Sequence, residues 1–266
     1  MENRLIKQVV RIGNSAGVVL PKAWLNQRAS VELVIRDISD IFKEIIEILQ
    51  NEVFLNKVLG IYLVGSYARD EENPASDIDV LVITEDINKS IKHGLYELLL
   101  ISKKELKQIL MIRALPLLPM IKEAKPLLNA ELLNEFATIP LTQKNIKWHI
   151  ETTKLALKEN KKLIDMTKKL GEKKVGDSVA YSLILRLRGT YIIDCLKKNK
   201  LWNNKEFVKL IKKIACSSLA YERYLYIKND TGKNKSILPI DEAEKLLNNI
   251  EKSNYEQEKW LKELKE

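Results

Sequence analysis

The sequence is poor in the residues that form disulfide frameworks, zinc sites and membrane spans. Its 266 residues include only two cysteines and two histidines. Cys195 and Cys216 lie 21 positions apart with no CxxC motif, which argues against a structural zinc site or a disulfide framework. There is no run of 18 apolar residues and no apolar signal core near Met1. We therefore expect a cytoplasmic protein that does not enter a membrane.

Charge is plentiful, but it is unevenly distributed along the chain. The net charge of +9 divides into +4 over residues 1–36, −6 over residues 37–140 and +11 over residues 141–266. Basic segments favour a polyanionic partner, whereas a metal site requires carboxylates. For the C-terminal lysines, solvated helix surfaces are an equally good explanation. The distribution therefore predicts separate roles for the three segments.

The hydrophobic pattern divides the chain into three predicted domains. Residues 1–37 have the pattern of β structure, with a turn at Gly13-Asn14-Ser15 and a strand over 31–35. Residues 38–140 alternate strands with helices and end in a connector of short helices, which is typical of an α/β domain. Residues 141–266 predict an antiparallel helical bundle. Its predicted helices span 142–170, 177–198, 204–228 and 240–264.

The most informative stretch joins Gly65-Ser66 to the carboxylates of Asp77 and Asp79. A predicted strand leads into the glycine and a predicted helix follows the serine. The free N–H groups of a helix start, the serine hydroxyl and the absent glycine side chain suit a phosphate. Asp77 and Asp79 share one face of the next strand, where they repel each other unless a cation such as Mg²⁺ lies between them. The pattern predicts metal-assisted transfer of a nucleotidyl or phosphoryl group.

Gly65-Ser66-Tyr67-Ala68-Arg69, followed by Ser76-Asp77-Ile78-Asp79-Val80, resembles the signature of the DNA-polymerase-β-type nucleotidyltransferase superfamily. The similarity is to its minimal and aminoglycoside-modifying members and covers about residues 39–110. It implies a small mixed sheet with helices on one face and two Mg²⁺ ions. It also implies transfer of a nucleoside monophosphate from a nucleoside triphosphate, expected to be ATP, to a hydroxyl acceptor.

The resemblance also implies roles for individual residues. Asp77 and Asp79 would be catalytic metal ligands. Glu97, on a later predicted strand, would be the third carboxylate, binding metal and helping to activate the acceptor. The residues implied for nucleotide binding are Gly65, Ser66, Arg69 and Ser76.

Two positions depart from the pattern of the superfamily. Glu97 stands where aspartate is commoner, and a glutamate at a sheet edge that faces water is the alternative interpretation. Asp70 stands where small members usually have glycine, and its charge either weakens triphosphate binding or points away. The two departures leave open whether the enzyme is fully active.

Residues 9–22, VVRIGNSAGVVLPK, resemble the AbrB/MazE/SpoVT swapped-hairpin family, and the similarity extends over about residues 4–36. It implies an intertwined homodimer and, in many members, binding of DNA. A dimerisation module without DNA binding is the alternative. The candidate contacts to the phosphate backbone are Arg4, Lys7, Arg11, Lys22 and Arg28.

The C-terminal helices resemble two kinds of helical partner of nucleotidyltransferase domains. In aminoglycoside nucleotidyltransferases a helical bundle completes the acceptor site, and HEPN-type bundles accompany minimal nucleotidyltransferases. Arg186 and Arg188 are not followed about five residues later by the histidine of a HEPN ribonuclease, which disfavours RNA cleavage. His149 is interpreted as a packed or surface residue.

The sequence as a whole predicts an α+β multidomain protein: a β swapped hairpin, a nucleotidyltransferase domain with an α/β mixed sheet, and an α-helical bundle. The predicted function is Mg²⁺-dependent nucleotidyl transfer, with an N-terminal segment that binds DNA or dimerises. A small molecule, a nucleic-acid 3′ end and a protein hydroxyl all remain open as acceptors. The alternative function is a DNA-binding transcriptional regulator or antitoxin-like protein whose nucleotidyltransferase domain senses nucleotide or is inactive.

Overall fold

The computed structural model describes residues 5–7, 9–32, 36–73, 76–228 and 235–263. Residues 1–35 form one compact unit and residues 36–266 form a second. No helix in the described ranges is both long and apolar enough to cross a membrane. The predicted boundary between residues 140 and 141 stays a prediction.

The first unit contains a β-hairpin at the predicted turn. Strand β1, Val9–Ile12, pairs antiparallel with β2, Ser15–Val18. Gly13 adopts a φ of +58° in the turn between them, a conformation that glycine tolerates without steric cost. Residues 31–32 are not in a strand, and the rest of the strand predicted at 31–35 lies outside the described residues. None of the described residues of this unit is buried, and the swapped dimer stays a prediction.

The second unit begins with helix α1, Ile38–Asn51. The sequence predicts Ser39 or Asp40 as its N-cap, but the cap is Asp37, whose carboxylate accepts a 2.6 Å hydrogen bond from the backbone N–H of Ser39. An aspartate in extended conformation satisfies the same free N–H groups at a helix start. Apolar residues at helical spacing predict that one face of α1 is buried, and the structure confirms this for Ile41, Ile45, Ile48 and Leu49.

A five-stranded mixed sheet follows α1, with the spatial order β5-β6-β4-β3-β7. Strands β4 and β6 run parallel, and every other neighbouring pair is antiparallel. The mixed sheet predicted from the superfamily is thereby confirmed. In chain order the elements are β3 (Val58–Val64), α2 (Gly65–Ala68), β4 (Ile78–Thr84), β5 (Lys89–His93), β6 (Tyr96–Ser102), α3 (Lys103–Ile112), α4 (Leu117–Glu123), β7 (Lys125–Leu128) and α5 (Ala130–Ala137).

Helices cover both faces of this sheet, so the expectation of helices on one face is wrong. Helix α1 packs on one face, and α3, α4 and α5 pack on the other. The reason is visible in β4, where Ile78 and Val80 are buried on the α1 side while Leu81 and Ile83 are buried on the opposite side. A strand that is apolar on both faces needs a covering layer on each side.

The C-terminal region is helical, with one break that the sequence pattern does not predict. The helix predicted over 204–228 is two helices, because Cys216 adopts a left-handed conformation with a φ of +65° and ends the first of them. Residues of the helices and of a small strand pair share one hydrophobic core. The elements are α6 (Gln143–Lys169), β8 (Lys174–Gly176), α7 (Asp177–Lys197), α8 (Asn204–Ala215), α9 (Leu219–Lys228), β9 (Ser236–Pro239) and α10 (Ile240–Glu263).

His149 of α6 is packed inside the helical region, as one of the two interpretations expects. Its side chain rests against α7 at Gly189, where an added Cβ would lie 2.3 Å from the imidazole Cε1. Burial and, to a smaller extent, the charge of Arg186 lower the pKa of His149 to about 4. The fold therefore holds this imidazole in its neutral form.

Candidate active site

Two of the three predicted catalytic carboxylates lie side by side in the sheet. Asp79 of β4 is the register partner of Glu97 on the parallel strand β6, and of Val64 on the other side. With Met120 of α4, these residues line a pocket of about 380 Å³. Ile78 is fully buried on the opposite face, which confirms the predicted alternation. The register thus sets two acidic side chains at one partly open pocket.

Asp79 carries an unfavourable charge in this setting. Burial raises the pKa of Asp79 to about 6, and the negative charges of Glu97 and Asp77 add to the rise. The charges of Lys228 and Arg69 act in the opposite direction without cancelling it. Asp77 itself is exposed, just before β4 begins. The charges of Asp77 and Glu97 therefore both disfavour a negative charge on Asp79, which a nearby cation would offset.

The chemistry of this set fits a divalent cation. Among the residues that the structure describes, no three His, Cys, Asp or Glu side chains converge on one point as they stand. Mg²⁺, however, needs only one or two protein carboxylates when phosphate and water supply its remaining ligands. Gly65 keeps the space beside Asp79 open, because a Cβ there would lie 2.1 Å from Asp79 Oδ2. The residues present therefore suit Mg²⁺ that arrives with a triphosphate.

Glu97 faces solvent at the outer part of the pocket. It is exposed, and its Oε1 accepts a 2.5 Å hydrogen bond from Lys92 Nζ on the neighbouring strand β5. The side chain thus shares features of both interpretations: it is an exposed glutamate, and it stands beside Asp79. Its catalytic role stays a prediction.

The turn at Gly65 differs from the phosphate cradle that the sequence predicts. Helix α2 starts at Gly65 rather than at Tyr67 and has four residues, so its dipole is short. Gly65 has a φ of +70°, in the region that favours glycine. Its N–H, expected to be free for phosphate, donates a 3.0 Å hydrogen bond to Glu123 Oε1. A carboxylate of this chain therefore takes the first amide of the turn.

Arg69 is directed to carboxylates rather than to open solvent. Its Nε donates to Glu71 Oε2 at 2.8 Å, and its Nη1 donates to both oxygens of Glu123 at 2.9 Å. These ion pairs take up donors of a guanidinium that the resemblance assigns to the nucleotide. Asp70, the second departure from the superfamily pattern, binds Lys125 Nζ at 2.6 Å and is largely exposed. The structure therefore turns Asp70 away from the Arg69 guanidinium.

Ser66 and Ser76 shape the loop between α2 and β4. The carbonyl oxygen of Ser66 accepts hydrogen bonds from the backbone N–H groups of Arg69 and Glu71. Ser76 Oγ accepts a 2.9 Å hydrogen bond from the backbone N–H of Asn73. The nucleotide contacts implied for both serines stay predictions.

Comparison with known proteins identifies the family. Residues 42–203, more than half of the chain, match the family model of the nucleotidyltransferase domain. This chain belongs to the nucleotidyltransferase domain family. The prediction of a nucleotidyltransferase is thereby confirmed at the level of the family. No curated protein shows significant similarity to the chain.

Solved structures similar to this nucleotidyltransferase include two bacterial proteins. A nucleotidyltransferase-like protein from Exiguobacterium sibiricum has 14% sequence identity and a TM-score of 0.36, with 82% of this chain and 75% of that chain covered. A spectinomycin adenyltransferase from Enterococcus faecialis, solved with ATP and spectinomycin, has 17% identity and a TM-score of 0.41. That comparison covers 82% of this chain and 100% of the other.

The structure of this nucleotidyltransferase adds a basic residue that sequence reasoning missed. The positive charge of Lys228, at the end of α9, lowers the pKa of Asp79 and so acts on the carboxylate pocket from the C-terminal region. Helix α9 is anchored by a buried ion pair in which Arg223 Nε donates to Asp177 Oδ1 at 2.8 Å. The only sequence signal for such a residue is the +11 charge of residues 141–266, which does not single out one lysine.

The residues implied for DNA binding lie in the first unit of the nucleotidyltransferase. Arg4 lies outside the described residues. Arg11 is exposed, and its Nε donates a 3.0 Å hydrogen bond to the carbonyl oxygen of Gly13 in its own hairpin turn. DNA binding by this unit stays a prediction. The other exposed basic candidates are Lys7, Lys22 and Arg28.

Proposed function

We propose that this chain is a Mg²⁺-dependent enzyme that transfers a nucleoside monophosphate from a nucleoside triphosphate, expected to be ATP, to a hydroxyl acceptor. The observation that carries the proposal is the register of Asp79 with Glu97 at a partly open pocket. Asp79 is held there with a pKa raised to about 6. A protein gains nothing for folding by keeping such carboxylates together, but a cation-binding site requires it. The family match supports the same reaction class.

The carboxylates would divide the chemical work between them. When bound to Asp77, Asp79 and Glu97, as many as two Mg²⁺ ions would neutralise charge that develops on the transferred phosphoryl group. Glu97 would accept the proton of the acceptor hydroxyl, because it is the exposed member of the pair and faces the open part of the pocket. The ammonium of Lys92 would orient that carboxylate.

The positive charges would hold the triphosphate against the carboxylates. Lys228 acts on the pocket from α9 and would counter the charge of the phosphates. Gly65 and Ser66 would let the phosphates approach the backbone at the turn after β3, and Ser76 would keep the following loop in place. Arg69 would support this turn through Glu123 rather than bind phosphate with its own guanidinium.

A label-transfer assay tests this function. The purified chain is incubated with α-³²P-labelled ATP and with small polyhydroxylated molecules, nucleic-acid 3′ ends or the protein alone as acceptors. We expect label on one acceptor class in the presence of Mg²⁺ and none in EDTA, because the carboxylates need their cation. GTP, CTP and UTP in parallel reactions identify the preferred nucleotide. Asp77→Ala is the matched loss variant, and transfer by it at the wild-type rate would overturn the proposal.

A second role is proposed for the N-terminal unit, which would dimerise and bind DNA. Its hairpin exposes the apolar residues Val9, Val10 and Ile12, and a two-stranded hairpin alone is at best marginally stable in water. Exposed apolar surface with basic neighbours suits a partner copy together with a phosphate backbone. The alternative of a DNA-binding regulator with an inactive or nucleotide-sensing domain rests on the same unit.

Removal of residues 1–36 tests this second role. The intact chain is expected to shift a DNA duplex in a gel at low salt and to elute as a dimer, and the truncated chain is expected to do neither. The bound fraction should fall as salt rises, because phosphate contacts release counterions. An unchanged shift after truncation would assign DNA binding elsewhere. DNA binding by the intact chain without any label transfer would favour the regulator.

A further inference from the structure

Next to the Gly65 turn lies a cluster of buried and half-buried side chains, of which only Arg69 is implied for nucleotide binding by the resemblance. It consists of Arg69, Glu71, Glu123, Arg188 and Trp202, and we call it the Arg69 cluster. The carboxylate of Glu123 is its centre, with a side chain only 4% exposed. Glu123 Oε1 accepts a 3.0 Å hydrogen bond from the backbone N–H of Gly65. Both carboxylate oxygens of Glu123 also accept hydrogen bonds from Arg69 Nη1, each at 2.9 Å. A buried carboxylate with this pairing fixes the groups that satisfy it.

The Trp202 ring packs against the guanidinium groups of two arginines in the cluster. The guanidinium carbon of Arg69 lies 3.9 Å from the centroid of the Trp202 ring, and the guanidinium carbon of Arg188 lies 4.6 Å from the same centroid. Both distances are well inside the range of a cation–π interaction, which strengthens when water is excluded. Trp202 is 7% exposed. Trp202 thus covers Arg69 from the segment between α7 and α8.

A second connection joins the cluster to the C-terminal helices. Glu71 Oε2 accepts from Arg69 Nε at 2.8 Å, and Glu71 Oε1 accepts a 3.0 Å hydrogen bond from the backbone N–H of Asn204 at the start of α8. The turn after β3 is therefore attached to the helical region by one carboxylate and one indole ring. That region also carries Lys228, whose charge acts on Asp79.

We propose that Trp202 is a positioning residue: through Arg69 and Glu123 it holds the Gly65–Ser66 turn in the geometry that receives the triphosphate. The proposal rests on the function proposed above. It assigns Trp202 no contact with the nucleotide, because Trp202 is not among the residues that line the pocket of Asp79 and Glu97. Its loss should let the turn move and weaken nucleotide binding, while the carboxylates stay in register and catalyse at a similar rate once the nucleotide is bound.

The kinetic test uses Trp202→Leu, with Trp148→Leu as the matched control. Trp148 also lies beside an arginine, with the Arg113 guanidinium 5.3 Å from its ring centroid, but it is 46% exposed on α6. For Trp202→Leu we expect KM for the triphosphate to rise about tenfold with kcat within about threefold of wild type, the pattern of lost binding rather than lost chemistry. Trp202→Phe keeps an aromatic ring over Arg69 but lacks the indole N–H that bonds to Glu123, so it should restore only part of the affinity. Trp148→Leu should match wild type.

Hydrogen exchange at Gly65 tests the positioning without any nucleotide. The Gly65 amide is bonded to Glu123 in the wild type, so its exchange should accelerate about tenfold or more in Trp202→Leu and not in Trp148→Leu. If the wild type transfers no label but Trp202→Leu still accelerates exchange at Gly65, the proposed function fails while the positioning role of Trp202 is supported. Unchanged exchange, or a wild-type KM in a folded Trp202→Leu protein, would overturn it.

A second variant covers the case in which Trp202→Leu does not fold. Glu71→Gln keeps the volume of the side chain but removes one of the charges that hold Arg69. It should raise KM and accelerate exchange at Gly65 in the same direction by a smaller factor. Wild-type values for both quantities in Glu71→Gln would contradict the proposal.

Discussion

Asp79→Asn is expected to make the protein more stable at neutral pH while it lowers nucleotidyl transfer by about 10³-fold or more. Activity is lost because an amide does not supply the anionic oxygen that a divalent cation requires. Stability is gained because the folded state places the Asp79 charge in a partly buried site beside Glu97 and Asp77. The substitution replaces one carboxylate oxygen by an amide nitrogen, and it should lower the transfer activity while it raises the free energy of unfolding.

The sign of the stability change follows from the pKa of Asp79. That pKa rises from 3.8 to about 6 on folding, so ionisation of Asp79 costs free energy in the folded state as the pH rises through this window. At pH 7 in EDTA, removal of the charge should raise the free energy of unfolding by about 1–2 kcal/mol, with partial exposure already discounted. The difference should shrink as the pH falls from 7 toward 4, because Asp79 is then protonated without mutation.

Asp77→Asn is the control for this experiment. Asp77 is exposed, so its replacement should lower transfer without a comparable gain in stability. Denaturant unfolding in EDTA, repeated with Mg²⁺ and ATP, measures both effects. Ligand should stabilise the wild type and not Asp79→Asn. If Asp79→Asn at pH 7 in EDTA is no more stable than the wild type, the charge of Asp79 does not destabilise the folded state and the prediction is wrong.

A fall in pH from 7 to 5 is expected to destabilise the protein through His149. Its pKa is about 4 in the folded state against 6.5 in the unfolded chain, so the unfolded chain binds the additional proton in this window. The contribution of His149 is complete above pH 6.5 and is lost as the pH falls toward 4. Its share of the change between pH 7 and pH 5 should be about 2 kcal/mol.

His149→Gln isolates this contribution, because glutamine does not titrate. Denaturant unfolding at pH 7 and pH 5 should show a smaller loss of stability for His149→Gln than for the wild type, by about 2 kcal/mol. His93→Gln removes the other histidine, which is exposed on β5, and should keep the wild-type dependence. Identical pH dependence in wild type and His149→Gln would exclude the buried imidazole as the cause.

The core of the candidate site could be predicted from the sequence because its signals are local. A period of two along β4 places Asp79 and Ile78 on opposite faces, and the structure confirms this with Ile78 buried and Asp79 at the pocket. Ser102, a serine directly before a helical pattern, caps α3, and its Oγ accepts a hydrogen bond from the Glu105 N–H. These features depend on residues within a few positions of one another, which a sequence pattern records directly.

Edge strands and distant partners could not be predicted in the same way. Strand β5 has one buried residue, Ile91, and β7 contains Pro126, so neither shows the apolar run of a central strand. The partners of Arg69 illustrate the second difficulty. Glu123 follows it by 54 positions and Trp202 by 133, and nothing in the local pattern marks either one. Burial decides that Arg69 pairs with carboxylates, and burial depends on tertiary packing.

The groups that act at the site come from two separate parts of the sequence. The strands that carry Asp79 and Glu97, and the strand between them in sequence, come from one contiguous stretch, residues 78–102. Lys228, which opposes the charge of Asp79, comes from a helix well over 100 residues later. Substitutions in the C-terminal helices can therefore alter the electric field at Asp79 while the register between the two carboxylates stays as it is. The charge of Lys228 can therefore be changed without altering the strands that hold the two carboxylates.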